Sequence, residues 1–216
     1  MSHVVTRWWL VRHAPVIGAA GRIYGQDDLD CDCSNTDIFT EVAGQLPADP
    51  VWLVTHLRRT QATAQALRQA GSWQQQSESL EPEIERDLVE QHFGDWQGLT
   101  YAELEARRDG AYHRFWHAPA DHAPPAGESF RDVITRVEQA ILRQTERHAG
   151  RDIVAVTHGG AIRAALAVVL GLEPERALGF SIDTCSITRF DHIQGPGEGA
   201  SWRILAVNRH PDNLRR

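Results

Sequence analysis

Three apolar runs along the chain share one outline. Val4 to Val11 is rich in β-branched and aromatic side chains, and Val51-Trp-Leu-Val-Thr55 and Asp152-Ile-Val-Ala-Val-Thr157 repeat the pattern. Short runs with little polar alternation predict strands covered on both faces. Each run ends beside a basic or imidazole side chain: Arg12-His13 after the first, Arg58-Arg59 just past the second, His158 after the third.

Helical patterns lie between and beyond these runs. Arg59 to Ala70 is alanine-rich and closes at Gly71; Ala161 to Leu170 is apolar and stops at Gly171. Ser129-Phe-Arg-Asp132 reads as a capping box opening a helix to about His148, with Val133, Val137, Ile141 and Leu142 expected on one face. Strand then helix, repeated, predicts an α/β chain with a largely parallel sheet. Ser186 to Phe190 and Trp202 to Val207 alternate like an antiparallel hairpin across Gly195-Pro-Gly-Glu-Gly199, finishing one edge. Asp109 to Gly127, rich in proline and aromatic residues, reads as irregular. It belongs to an expected lid or excursion over about residues 100–128 of a single domain spanning 1–216.

Composition narrows the partners. With 42% hydrophobic and 24% charged residues, the 216-residue chain can bury a substantial core. A formal charge of -7 without a Lys/Arg block argues against nucleic acid or an anionic membrane as the main partner. Without a leader-like start or a long apolar run, the expected location is cytoplasmic. Cys31, Cys33 and Cys185 are too few and odd in number for a disulfide framework and read as incidental thiols. His113 and His117 stand one helical turn apart with His122 nearby, but no second ligand cluster completes a metal site. Neither metal nor cofactor is expected, and a homodimer is the working expectation for assembly.

The strand ends give these patterns a chemistry. Ligands of parallel sheets bind at the carboxyl ends of the strands. Two histidines and at least two arginines delivered to one rim would repel one another unless an anion lay between them, and phosphate suits their geometry. Neighbouring positive charge disfavours the imidazolium, so a histidine here stays neutral and nucleophilic. Arginine forks would neutralise the oxygens of a transferring phosphoryl group. The leaving alkoxide needs a proton, and Asp87-Leu-Val-Glu-Gln-His-Phe-Gly-Asp-Trp-Gln-Gly98 offers Glu90, with Asp87 and Asp95 as rivals.

Five stretches, L-V-R-H-A from Leu10, T-H-L-R-R-T-Q-A-T-A from Thr55, L-V-E-Q-H-F-G-D-W-Q-G from Leu88, P-A-G-E-S from Pro125 and V-T-H-G-G-A-I-R from Val156, occur in an informative order. The chain resembles the histidine phosphatase superfamily, the phosphoglycerate mutase-like proteins, over residues 4–170. That resemblance implies a three-layer α/β/α fold and hydrolysis of a small phosphate monoester through a phosphohistidine on His13. It also implies Arg12, Arg59 and His158 as the rest of the phosphate pocket, Glu90 as proton donor, Arg59 rather than Arg58, and a backbone N–H from Gly159 toward the phosphate.

The chain departs from the family pattern at Ala14, where glycine is usual, at Val16, near a usual hydroxyl residue, and at Ala19, where an asparagine helps hold phosphate. Gly21-Arg-Ile-Tyr-Gly25 is expected to supply other contacts, from Arg22, Tyr24 and Gly25. An R-H-A-P loop followed by G-R-x-Y-G looks like the α-ribazole phosphatase-like branch. A mutase that returns the phosphoryl group to substrate, and a phospho-ligand-binding module without turnover, are the alternatives.

Overall fold

In the computed structural model, which describes residues 3–19, 21–71, 73, 81–195 and 201–210, the apolar runs become adjacent strands of one sheet. In chain order the elements are β1 (Val4–Arg12), α1 (Thr36–Ala43), β2 (Val51–Val54), α2 (Arg58–Ala70), β3 (Glu83–Ile84), α3 (Tyr101–Arg107), α4 (Gly110–His117), α5 (Phe130–Arg147), β4 (Asp152–Thr157), α6 (Gly159–Leu170), α7 (Pro174–Ala177), β5 (Ile187–Gln194) and β6 (Ser201–Arg209). The strand order is β3-β2-β4-β1-β5-β6. β3, β2, β4 and β1 pair in parallel; β5 runs antiparallel to β1, and β6 to β5. The C-terminal hairpin therefore finishes an edge as the alternation predicted, although residues 196–200 of its expected turn lie outside the described residues.

Alternation along β1 builds three layers. Trp8 and Leu10 are fully buried in a core shared with α5 and α6. Val11 and Trp9 face the opposite core, with Phe39 and Val42 of α1 and Leu67 of α2. The indole of Trp8 donates to Thr145 Oγ1 at 2.9 Å, so its polar edge is satisfied in the core. A third cluster, Ile23, Trp96, Leu104 and Phe115, is separate and joins α3 and α4 to the loops beside them.

Ser129 caps α5 as read, with Asp132 completing a reciprocal capping box. Val133, Val137 and Ile141 are buried, but Leu142 is half-exposed. Nine residues at 3.6 per turn place Leu142 about 180° from Val133, so it cannot share that face. The stretch from Asp109 is also less irregular than its composition suggested. Asp109 caps α4 by accepting the Tyr112 N–H at 2.8 Å, and Thr100 with Glu103 forms a capping box on α3. Among the described residues no helix is long and apolar enough to cross a membrane.

Candidate active site

Register brings the two histidines together. β1 and β4 pair with Arg12 opposite Thr157, and the His13 N–H continues the ladder to the Thr157 carbonyl at 2.9 Å. His13 and His158, one residue beyond each strand, are fully buried with ring centroids 5.1 Å apart.

The hydrogen bonds assign each ring its role. His13 Nδ1–H donates to its neighbour's carbonyl, Ala14 O, at 2.7 Å, leaving Nε2 with the lone pair and no partner among the described residues. Burial lowers the His13 pKa from 6.5 to about 3, with Arg59 and Arg12 repelling the proton further, so the imidazole is neutral. His158 Nδ1 accepts from Arg59 Nε at 3.3 Å, so its Nε2–H donates to Thr55 Oγ1 at 3.0 Å. Burial holds the His158 pKa well below its usual value, and His13 and Arg59 add to the effect.

Arg59, not Arg58, enters this cluster. The fully buried Arg59 donates to Asp27 O and Gly25 O, both at 2.6 Å, besides His158. Arg58, one residue earlier on the helix, is exposed and tied to Asp28 and Asp30. Burial lowers the Arg59 pKa, partly offset by attraction to Glu90. Arg12 donates to Ile182 O, while its buried Nε has no partner among the described residues.

The departing residues of the first loop are incorporated into the fold. The N–H of buried Ala14 donates to Thr63 Oγ1 at 2.9 Å, and that hydroxyl donates to Arg59 O at 2.7 Å. Val16 pairs with Cys31 in an isolated bridge, and Ala19 is buried.

Glu90 reaches the same end of the sheet from the loop after β3. Its Oε1 accepts the Gly160 N–H at the start of α6 and the Gln91 N–H, each at 3.0 Å. The segment carrying it is pinned from several sides. Arg136 of α5 donates to Asp87 O, Val89 O and Glu90 O while paired with Glu128, and Thr157 Oγ1 donates to Leu88 O. The rivals lie elsewhere: Asp87 pairs with Arg143, and Asp95 is exposed.

Arg22, Tyr24 and Gly25, expected to supply further contacts, line the cavity that adjoins the cluster. The Gly25 carbonyl accepts from Arg59 Nη2 and so orients the guanidinium. Arg22 is exposed, with Nη1 on Gly98 O at 2.6 Å, while Tyr24 lies under Arg59, 5.2 Å from Cζ to ring centroid, and edge-on to His13 at 6.5 Å. Gly159 is buried beside Arg12; a Cβ there would lie 3.6 Å from both Arg12 Nε and Arg163 Nη1. Arg163 is an additional cation at this end, held by Phe180 O at 2.7 Å. It stands at the close of V-T-H-G-G-A-I-R, one turn beyond Gly159, and helical spacing was the signal that could have found it.

A cavity of about 510 Å³ adjoins the cluster, its wall including Tyr24, Gly25, Glu90, Gly160 and Arg163. α3 and α4 contribute Tyr101, Leu104, Phe115 and Trp116 to the same cavity, so the excursion lines it. His113 and His117 are exposed on α4. Among the described residues no group of three or more His, Cys, Asp or Glu side chains is placed to hold a metal ion. The arrangement offers a neutral imidazole with a free lone pair, guanidinium groups beside it and a carboxyl group at a helix start. Such a set can accept a phosphoryl group, neutralise its oxygens and move a proton.

Comparison with known proteins gives the same grouping. Residues 8–205 match the sequence model of the histidine phosphatase superfamily (branch 1). A glucosyl-3-phosphoglycerate phosphatase from Mycolicibacterium vanbaalenii is 35% identical, over 94% of this chain and 95% of its own. The structure of a mycobacterial glucosyl-3-phosphoglycerate phosphatase superposes with a TM-score of 0.76 at 28% identity, over 95% of this chain and 99% of that one. The α-ribazole phosphatase of Shigella flexneri has a TM-score of 0.76 at 24% identity, over 94% and 98%, which is a likeness of fold.

Proposed function

Because the chain belongs to the histidine phosphatase superfamily and is a phosphoric monoester hydrolase, we propose that it cleaves a small phosphate monoester in two steps through a phosphohistidine on His13. The observation that carries this reading is the His13 tautomer: Nδ1 is committed to Ala14 O, and burial beside two arginines keeps Nε2 unprotonated.

Nε2 attacks phosphorus, the ester P–O bond breaks, and the departing alkoxide takes a proton from the Glu90 carboxyl group. A water then yields its proton to Glu90 and attacks phosphorus, the P–N bond breaks, and inorganic phosphate leaves with His13 restored. The unpartnered Arg12 Nε is the donor most directly available to a phosphoryl oxygen. For Arg59 or His158 to join it, a protein partner must be exchanged for phosphate, and the ester's own charge supplies the drive.

Glucosyl-3-phosphoglycerate and α-ribazole phosphate are the named monoesters to try first. The test is phosphate release from p-nitrophenyl phosphate and from a panel containing both, with wild type against His13→Ala across pH. Turnover abolished by the substitution is expected, with acid-labile phosphate trapped on wild type. Turnover that survives in His13→Ala overturns the assignment, and isomerisation of a phosphoglycerate primed by 2,3-bisphosphoglycerate shifts it to a mutase.

A further inference from the structure

Aromatic rings form much of the wall of the cavity beside His13. Away from Glu90 and Gly160 its lining includes Phe93, Trp96, Tyr101, Phe115, Trp116 and Phe130. These rings brace one another: Trp96 meets Phe115 edge-on at 5.0 Å, and Phe115 meets Trp116 at 5.4 Å. Tyr101 and Trp116 remain 57% and 51% exposed, leaving apolar area that a ligand would cover.

The polar groups on this wall are outnumbered by apolar ones, and several are partly engaged. Arg163 lies beside Arg12 at Gly159, where an ester's phosphate would sit. Arg22 is bonded to Gly98 O, Gln91 donates to Glu128 O, and the buried Trp96 Nε1 has no partner among the described residues. A polyhydroxylated alcohol would give up water on those hydroxyls that turn toward the ring-lined part of this wall, at a cost for each. A planar apolar group would instead meet ring faces and edges in a pocket of ordinary ligand size.

Taking His13 and Glu90 as the phosphatase pair, we infer that the alcohol released by this enzyme carries an aromatic ring system, with Tyr101 and Trp116 as its specificity-determining residues. The test compares two primary alkyl esters of similar intrinsic reactivity, 2-(1-naphthyl)ethyl phosphate and glycerol 3-phosphate. Wild type is expected to favour the naphthyl ester in kcat/KM by on the order of 100-fold, from the apolar area that ester can bury. Trp116→Ala and Tyr101→Ala should each shrink the preference by roughly tenfold, through KM for the naphthyl ester rather than kcat.

Equal or better use of glycerol 3-phosphate, or a preference untouched in both variants, overturns the inference and leaves the phosphatase reading standing. Hydrolysis of neither ester, with p-nitrophenyl phosphate and the panel also untouched, overturns the phosphatase reading instead. Calorimetric titration of His13→Ala with both esters then decides the cavity alone: saturable binding of the naphthyl ester only supports the inference, and equal or absent binding rejects it.

Discussion

Replacing Gly160 with alanine is a direct way to move Glu90 without disturbing the sheet. The added methyl would overlap Glu90 Oε1 and stand 3.3 Å from its Cδ, at a position where the Gly160 N–H now holds that oxygen at 3.0 Å. The carboxyl is the far end of a flexible side chain, so it yields, withdrawing by roughly 1 Å to regain an ordinary separation of ~3.5 Å or more. Stability should barely change: alanine in a helix gains up to about 1 kcal/mol over glycine, while the lost hydrogen bond costs about the same. A misplacement of about 1 Å in a reacting group can cost on the order of 100-fold in rate. Because the proposed mechanism makes the displaced group the proton donor, the loss should depend on the leaving group. An alkyl phosphate, which needs the proton, should lose about 100-fold in kcat, and p-nitrophenyl phosphate, whose phenolate leaves unaided, less than ~10-fold. Thermal melts run beside both assays guard against misfolding. Equal losses on the two substrates, or alkyl turnover within roughly threefold of wild type, would refute Glu90 as the donor held by Gly160.

Three further outcomes follow from the same contacts. With its folded pKa lowered from 6.5 to about 3, His13 binds a proton when unfolded but not when folded, so stability falls as pH drops through that window. In His13→Asn the acid-side slope of unfolding free energy should be shallower by about 1.4 kcal/mol per pH unit, and urea melts between those limits that match wild type reject the buried neutral histidine. Arg136→Met should lower unfolding free energy by roughly 2–4 kcal/mol, because Glu128 and the three carbonyls ahead of Gln91 lose their common donor; a midpoint shift under about half a kcal/mol argues otherwise. The hydrogen bond from Cys33, with Thr63 and Arg59 helping, draws the Cys31 thiol down to about 7, whereas burial pushes Cys185 up to about 12. Iodoacetamide should therefore modify Cys31 first, with a pH midpoint near 7 that rises in Cys33→Ala, and mass spectrometry of peptides reads the order.

The parts of the fold legible in the sequence are those written in local periodicity. β2 and β4 carry continuous apolar runs because parallel strands are covered on both sides, β1 alternates buried Thr6, Trp8 and Leu10 with half-buried neighbours, and α5 carries its start signal in Ser129 and Asp132. The pairing of His13 with His158 follows once β1 and β4 are neighbours. α3 and α4 carried equally good signals at Thr100, Glu103 and Asp109, but the prolines and aromatic residues around them read as irregular chain. The two-residue β3 has no periodicity to detect, and its place is fixed by pairing with β2. Arg136 looks in sequence like a solvent-facing position of its helix, and only the helical spacing from Gly159 points to Arg163. Their tasks come from carbonyls brought in by distant loops, Val89 and Phe180 among them, which no local pattern records.

The small cluster of Ile23, Trp96, Leu104 and Phe115 has a consequence for how this protein can change over generations. It is separate from the two cores that clamp the sheet, so substitutions in α3 and α4 tax only a satellite of the fold. The histidines, by contrast, are set by the backbone ladder between β1 and β4 and are insulated from drift in those helices. New alcohols can thus be explored by mutation while the phosphoryl chemistry is inherited unaltered, and a laboratory library confined to residues 101–117 should yield altered substrate range far more often than unfolded protein.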